Sequence, residues 1–179
     1  MASKAVQDET GEKETPSKRY AVIRIRGRVG IRKPTLETLK FLNIHRKNHV
    51  VILDNRASYL GMLQRAKDYI TWGEVSPEII ALLLKKRGEL KGGIRITDAF
   101  VKKNSPYENI DKFAEAIASF NAELSDIKQL KPIFRLPPPK GGFNGKIKRA
   151  VHDHGELGYR GAAIEELIKK MVLGRKQKE

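Results

Sequence analysis

The chain has 179 residues and carries 36 Lys and Arg against 21 Asp and Glu, a formal net charge of +15. That length allows one domain with a real core, and so basic a body calls for an anionic partner, nucleic acid before membrane. No apolar run approaches the roughly 20 residues needed to span a bilayer, and the absence of cysteine excludes disulfides and thiolate metal sites.

Residues 1–17 are polar, and four acids outweigh two lysines there. They have neither the apolar core of a signal peptide nor the Arg-rich character of a transit peptide, and they are expected to form a disordered tail. Lys18–Lys33, KRYAVIRIRGRVGIRK, then holds seven basic residues and no acid. Ala21, Ile23 and Ile25 alternate with Val22, Arg24 and Arg26, which predicts a strand over Tyr20–Arg26. One face would be buried, and the other would present guanidinium groups about 7 Å apart. Gly27 and Gly30 end the strand in a loop that adds Arg28, Arg32 and Lys33. The planar fork of Arg suits phosphate oxygens, so the stretch reads as a core strand whose open face and exit loop meet a polyanion. An ordinary solvated face is the alternative.

Pro34 suits the first turn of a short helix to Asn43, with Leu36, Leu39 and Leu42 at three-residue spacing. His49–Leu53 is a compact apolar run, a second and well-buried strand, which ends in the turn Asp54-Asn55-Arg56. Ser58 is placed to cap a helix over Tyr59–Ile70, and Trp72–Val75 reads as a short third strand. This order, strand–helix–strand–helix–strand, predicts an α+β fold with helices on one face of a small sheet.

Ser76-Pro77-Glu78 opens a helix that closes on Lys85-Lys86-Arg87 and Gly88, the charge order that a helix dipole favours. Residues 89–96 form a Gly-rich loop. Thr97 caps a short helix to Lys102, and Asn109 caps Ile110–Asn121 with a stripe of Phe113, Ile117 and Phe120. In 131–149, Pro132, Pro137, Pro138 and Pro139 together with Gly141, Gly142 and Gly145 exclude regular helix and central strand. From Ile127 to Val151 there are seven basic residues and no acid. A last helix is expected over Gly161–Leu173, followed by a polar, mostly basic tail.

Within that second acid-free stretch, KGGFNGKIKR (Lys140–Arg149) fails as a phosphate loop. Gly141 and Gly145 enclose three residues where four are needed, and Ile147 follows Lys146 where Ser or Thr is needed. It suits a basic arm in a nucleic-acid groove. There Lys140, Lys146, Lys148 and Arg149 would meet phosphates, and Phe143 would stack on a base or fill an apolar gap. A solvent-exposed loop is the alternative. Arg46, Lys47, His49, Asn55 and Arg56 lie in loops that would flank the first basic stretch. His152-Asp153-His154 splays as a turn and makes a poor metal site. Asp54 reads as a turn former. No Ser-His-Asp or paired-carboxylate arrangement is identifiable, so no catalytic residue is assigned.

These residues resemble a known family. Tyr20–Val75 looks like large-subunit ribosomal protein thirty, through the Arg-Gly after the first strand, the nearby Val-Gly, the Thr-Leu-x-x-Leu helix, the Asn-His before the Val-Val strand and the Gly-Met-Leu of the second helix. Trp72-Gly73, Lys86-Arg87-Gly88, Arg95-Ile96-Thr97-Asp98 and the Pro-Lys-Gly-Gly turn at 139–142 are similar to its longer archaeal form, whose eukaryotic relative is ribosomal protein seven. The resemblance covers residues 18–173. It implies a ferredoxin-like strand–helix–strand–helix–strand core at 18–75, a three-stranded antiparallel sheet with the first strand central and two helices packed on it. A mainly helical and irregular extension at 76–179 follows, bearing the basic arm at 131–149.

It also implies a non-enzymatic constituent of the cytoplasmic ribosome that binds large-subunit ribosomal RNA near the 5S RNA. Neighbouring ribosomal proteins would be partners, and no cofactor, membrane or small-molecule substrate is involved. RNA contacts would fall on Arg24, Arg26, Arg28, Arg32 and Lys33 from the strand side and on Lys140, Phe143, Lys146, Lys148 and Arg149 from the arm. The chain departs from eukaryotic relatives in lacking a long basic N-terminal arm. The competing readings are an RNA-processing or ribosome-assembly factor, an RNA-modifying enzyme, for which no cofactor loop is found, and a duplex-DNA binder, for which no recognition helix or zinc framework is found.

Overall fold

A computed structural model describes residues 18–173. The expected tails at 1–17 and 174–179 lie outside the described residues. The strands are β1 (Arg19–Arg24), β2 (His49–Asp54), β3 (Ile70–Glu74), β4 (Phe134–Arg135), β5 (Lys146–Ala150) and β6 (Gly155–Tyr159). The α-helices are α1 (Lys33–Phe41), α2 (Ala57–Ala66), α3 (Pro77–Arg87), α4 (Asp98–Asn104), α5 (Ile110–Ala118) and α6 (Ile164–Val172).

β1 lies between β2 and β3 and is antiparallel to both, with Val22 opposite Val51 on one side and Trp72 on the other. That much matches the expected kernel, but the sheet does not stop at three strands. It has six, in the order β4-β2-β1-β3-β6-β5. Free edges on β2 and β3 would expose rows of unpaired backbone groups, and the extension covers both. β4 pairs antiparallel with β2, while β6 runs parallel to β3 and β5 parallel to β6.

Helices cover both faces of this sheet rather than one. Ala21, Ile23 and Ile25 belong to a buried cluster with residues of α3, α5 and α6, such as Leu83, Phe113 and Ile168. Val22, on the other face, packs with Leu39, Leu42, Leu63 and Ala66 of the α1 and α2 segments. β1 is therefore enclosed on both sides, and the expected open face with its row of guanidinium groups does not exist.

Local boundaries follow recognisable chemistry. Asn43 takes φ 58° just past α1, the left-handed stop that Asn tolerates. α2 starts before its expected cap: Arg56 is the N-cap residue and Ser58 lies inside the helix. Ser76, Thr97 and Asn109 stand at the N-caps of α3, α4 and α5 without side-chain cap bonds. The Ile110 N–H instead donates to Asp98 Oδ1 at 3.0 Å. The Ser76 N–H donates to Glu165 Oε1 at 2.7 Å, tying the start of α3 to α6. α5 ends at Ala118, so Phe120 leaves the expected helical stripe, and its ring lies 4.2 Å from the Arg19 guanidinium carbon.

Candidate nucleic-acid interface

Antiparallel pairing brings the exit of β1 beside the entries of β2 and β3. The Asn48 N–H donates to Arg24 O at 2.8 Å, and the Ile25 N–H donates to Tyr69 O at 2.9 Å. The Leu136 N–H, just past β4, donates to Asn48 O at 3.0 Å. One end of the sheet thus gathers the loops after β1, before β2 and before β3, together with the end of β4. Arg28, Arg32, Lys33, Arg46 and Lys47 are all exposed there. Arg135, not anticipated from sequence, joins them opposite His49 in the β2–β4 register. Its signal was the short alternation Phe134-Arg135-Leu136 inside the acid-free stretch.

Two residues of the expected contact set have another place. Arg24 is 0% exposed. Its guanidinium donates to Arg26 O and Ile44 O at 2.9 Å, to His45 O at 3.0 Å and to Gly27 O at 2.9 Å. Every bond goes to a loop carbonyl, so Arg24 knots the two basic loops together and does not face a phosphate. Burial first, then the nearby Arg28, lowers its pKa. Arg26 is half-buried, donates to Asp68 O at 3.0 Å and lies 4.8 Å from the Tyr69 ring centroid.

His49 is not a loop residue but the first residue of β2, and it is buried. Burial, and after it the positive neighbours Arg135, His45, Arg46 and Arg24, push its pKa down. The folded state therefore binds fewer protons at His49 than the unfolded chain does. Its stability contribution is complete above the unfolded histidine value of about 6.5 and is lost as pH falls toward the folded pKa. The urea midpoint should fall on going from about pH 7 to pH 5, and His49→Gln should remove that part of the dependence.

Asn55 and Arg56 follow the C-terminal end of β2, at the opposite end of the sheet from Arg28. Asn55 accepts from the Lys18 N–H at 3.4 Å, and Arg56 pairs with Asp54 at 2.6 Å. The structure does not bring these two together with the cations at the Arg28 end.

The 131–149 segment is only partly irregular, since it holds β4 and most of the edge strand β5. Lys146, Lys148 and Arg149 are exposed along β5, with Arg149 lying 3.6 Å from Asp153. Lys140 is exposed, and its N–H donates to Lys170 O at 3.2 Å. Phe143 packs against the larger buried cluster, so here the ring fills an apolar gap. The arm is anchored by Glu156, 3% exposed, whose carboxylate accepts from the Gly145 N–H at 2.6 Å and pairs with Arg160. Because β3, β6 and β5 run parallel, Lys146 enters β5 at the same end of the sheet as the exit of β1. The row from Arg135 to Lys146 crosses five strand spacings, roughly 24 Å at about 4.8 Å each.

Among the described residues, no group of three or more His, Cys, Asp or Glu is arranged to hold a metal ion. No described helix is long and apolar enough to cross a membrane.

The fold and its cations define a small α+β protein with positive charge gathered at one end of its sheet. The family described as ribosomal protein L30p/L7e matches residues 20–70, from β1 to the start of β3. Full-length similarity reaches much further. A large ribosomal subunit protein uL30 of Methanopyrus kandleri is 50% identical over 149 residues, covering 83% of this chain and 100% of that protein. Its namesakes in Methanosphaera stadtmanae and Archaeoglobus fulgidus are 48% and 43% identical, each over 99% of their own length and 86% and 85% of this chain. The chain belongs to the ribosomal protein L30p/L7e family.

Proposed function

We propose that the basic end of the sheet binds folded large-subunit ribosomal RNA, with the β5 edge as a second contact. Family membership makes the chain a structural, non-enzymatic constituent of the large ribosomal subunit. The supporting observation is the gathering of Arg28, Arg32, Lys33, Arg46, Lys47 and Arg135 at one end of the sheet, where buried Arg24 ties the loop after β1 to the turn after α1. Such cations neutralise phosphates and release counterions, while the shape of the row selects a folded RNA over a free strand. A location near the 5S RNA, in the cytoplasmic ribosome and beside other ribosomal proteins, completes this reading on the strength of the family likeness.

Two measurements test it. In sedimentation of a lysate, the protein should travel with the large subunit and survive a moderate salt wash; a free protein at low salt would defeat the reading. In a titration with large-subunit RNA, Arg28→Ala should weaken binding and lower the slope of log affinity against log salt by about 1. Its unfolding midpoint should stay unchanged, because Arg28 is exposed. An unaltered slope would remove Arg28 from the interface.

A further inference from the structure

Between the turn after α1 and the edge strand β4 lies a groove of about 560 Å³, lined by His45, Arg46, His49, Lys131, Ile133 and Arg135, with Pro132 at its wall. No carboxylate lines it. His49 and Arg135 are directly opposed in the β2–β4 register, so their side chains leave the same face of the sheet. Lys131 lies 3.8 Å from Glu89, whereas Arg46 and Arg135 have no ion pair among the described residues. His49 is only 8% exposed, and its Nδ1 is buried without a hydrogen-bond partner. A buried polar atom of this kind gains most from a ligand that brings its own donor or acceptor.

The volume falls in the range of small-ligand pockets, too small for a duplex and ample for one nucleotide. Phosphate-binding forks, an apolar wall and an imidazole, here the buried His49 rather than the exposed His45, suit phosphate, base and sugar in turn. An imidazole with one free nitrogen can bond a ribose hydroxyl or a base edge, contacts that guanidinium groups on phosphates do not supply.

We propose that this groove holds a single unpaired nucleotide of the RNA, with its phosphate on Arg46 and Arg135, its base against Pro132 and Ile133, and its sugar or base edge bonded to His49. This rests on the RNA reading above and narrows it: the loops around Arg28 and Lys47 take continuous backbone, and the groove takes one extruded residue. Extruded nucleotides are the places where folded RNA offers its edges to proteins.

The test is 2′-hydroxyl acylation of large-subunit RNA bound to the full chain, compared with Arg135→Ala and Arg46→Ala. Both replaced residues are exposed. The unsubstituted protein should protect the flexible nucleotides that it covers, at least one of them unpaired and extruded from the RNA. The two variants should lose that one protection, keep the others, and bind roughly tenfold more weakly, the scale of one charge-assisted contact. A second measurement avoids substituting a buried side chain: the His49 Nδ1 nitrogen resonance should move when the protected RNA fragment is added. Identical protection by all three proteins, or an unmoved resonance in a formed complex, overturns the groove proposal while the RNA reading stands. Absence of any binding by the unsubstituted protein overturns both.

Discussion

Arg24→Met should lower the unfolding free energy by about 4 kcal/mol, since hydrogen bonds from a charged donor contribute about 1.5–3 kcal/mol each and do not add fully. Methionine keeps most of the aliphatic stem, so packing loss is small and the effect isolates the guanidinium. What goes is the donor to four carbonyls, those of Arg26, Gly27, Ile44 and His45, in a side chain with no exposed area. Those carbonyls belong to the loop after β1 and the turn after α1, which carry Arg28 and Lys47. The variant should therefore bind RNA more weakly where it is still folded, but with the salt slope of the parent, because no phosphate contact has been removed. That is the opposite pattern to Arg28→Ala, which changes the slope and spares the fold. A urea midpoint that moves by less than about 1 kcal/mol in free energy would mean that water serves the four carbonyls equally well.

The misreading of Arg24 shows where sequence reasoning stops. Strand alternation correctly put it on the face of Val22, and a face that contains arginine is usually a wet one. Yet that face is roofed by α1 and α2, and two of the four acceptors that make burial tolerable lie about twenty residues on, at Ile44 and His45. No local pattern encodes them. The second helical layer was hidden for a related reason: Ala21, Ile23 and Ile25 announce burial but not what buries them, and α3, α5 and α6 come from beyond Val75. β4 is two residues long and sits between Pro132 and Pro137, and β6 contains Gly155 and Gly158. Neither makes an apolar run, and both exist because a neighbouring edge needs a partner.

The kernel was legible because its signals are local. His49–Leu53 is a continuous apolar run, and β1 alternates. Charge alone marked the loop cations Arg28, Arg32, Lys33, Arg46 and Lys47. Their convergence, and the exclusion of Asn55 and Arg56, depended on direction. In antiparallel neighbours the exit of one strand meets the entry of the next, so loops at opposite ends of β2 cannot meet at one end of the sheet. Arg135 needed the full topology, because β4 reaches that end of the sheet from more than eighty residues away in sequence.

Gly73→Ala should cost about 3 kcal/mol, at the upper end of ordinary overpacking. Gly73 sits in β3, opposite Ala21 of β1. A Cβ at this position would lie 2.0 Å from Gly161 O and 3.0 Å from Ile164 Cβ. The first of these is backbone, so relief demands movement of the turn that enters α6, and with it Ile164, Leu167 and Ile168 of the larger core. The damage should appear as a lower urea midpoint and as faster amide exchange in α6 than in α2. Gly61→Ala is the matched control. Gly61 lies inside α2, nothing stands within 4 Å of its added Cβ, and removing a glycine from a helix interior should stabilise by about 0.5–1 kcal/mol. The same one-carbon change thus has opposite signs at the two glycines. If Gly73→Ala lost less than about 1 kcal/mol, the turn at Gly161 would not be seated on β3, and the extension would be a looser attachment than its shared core implies.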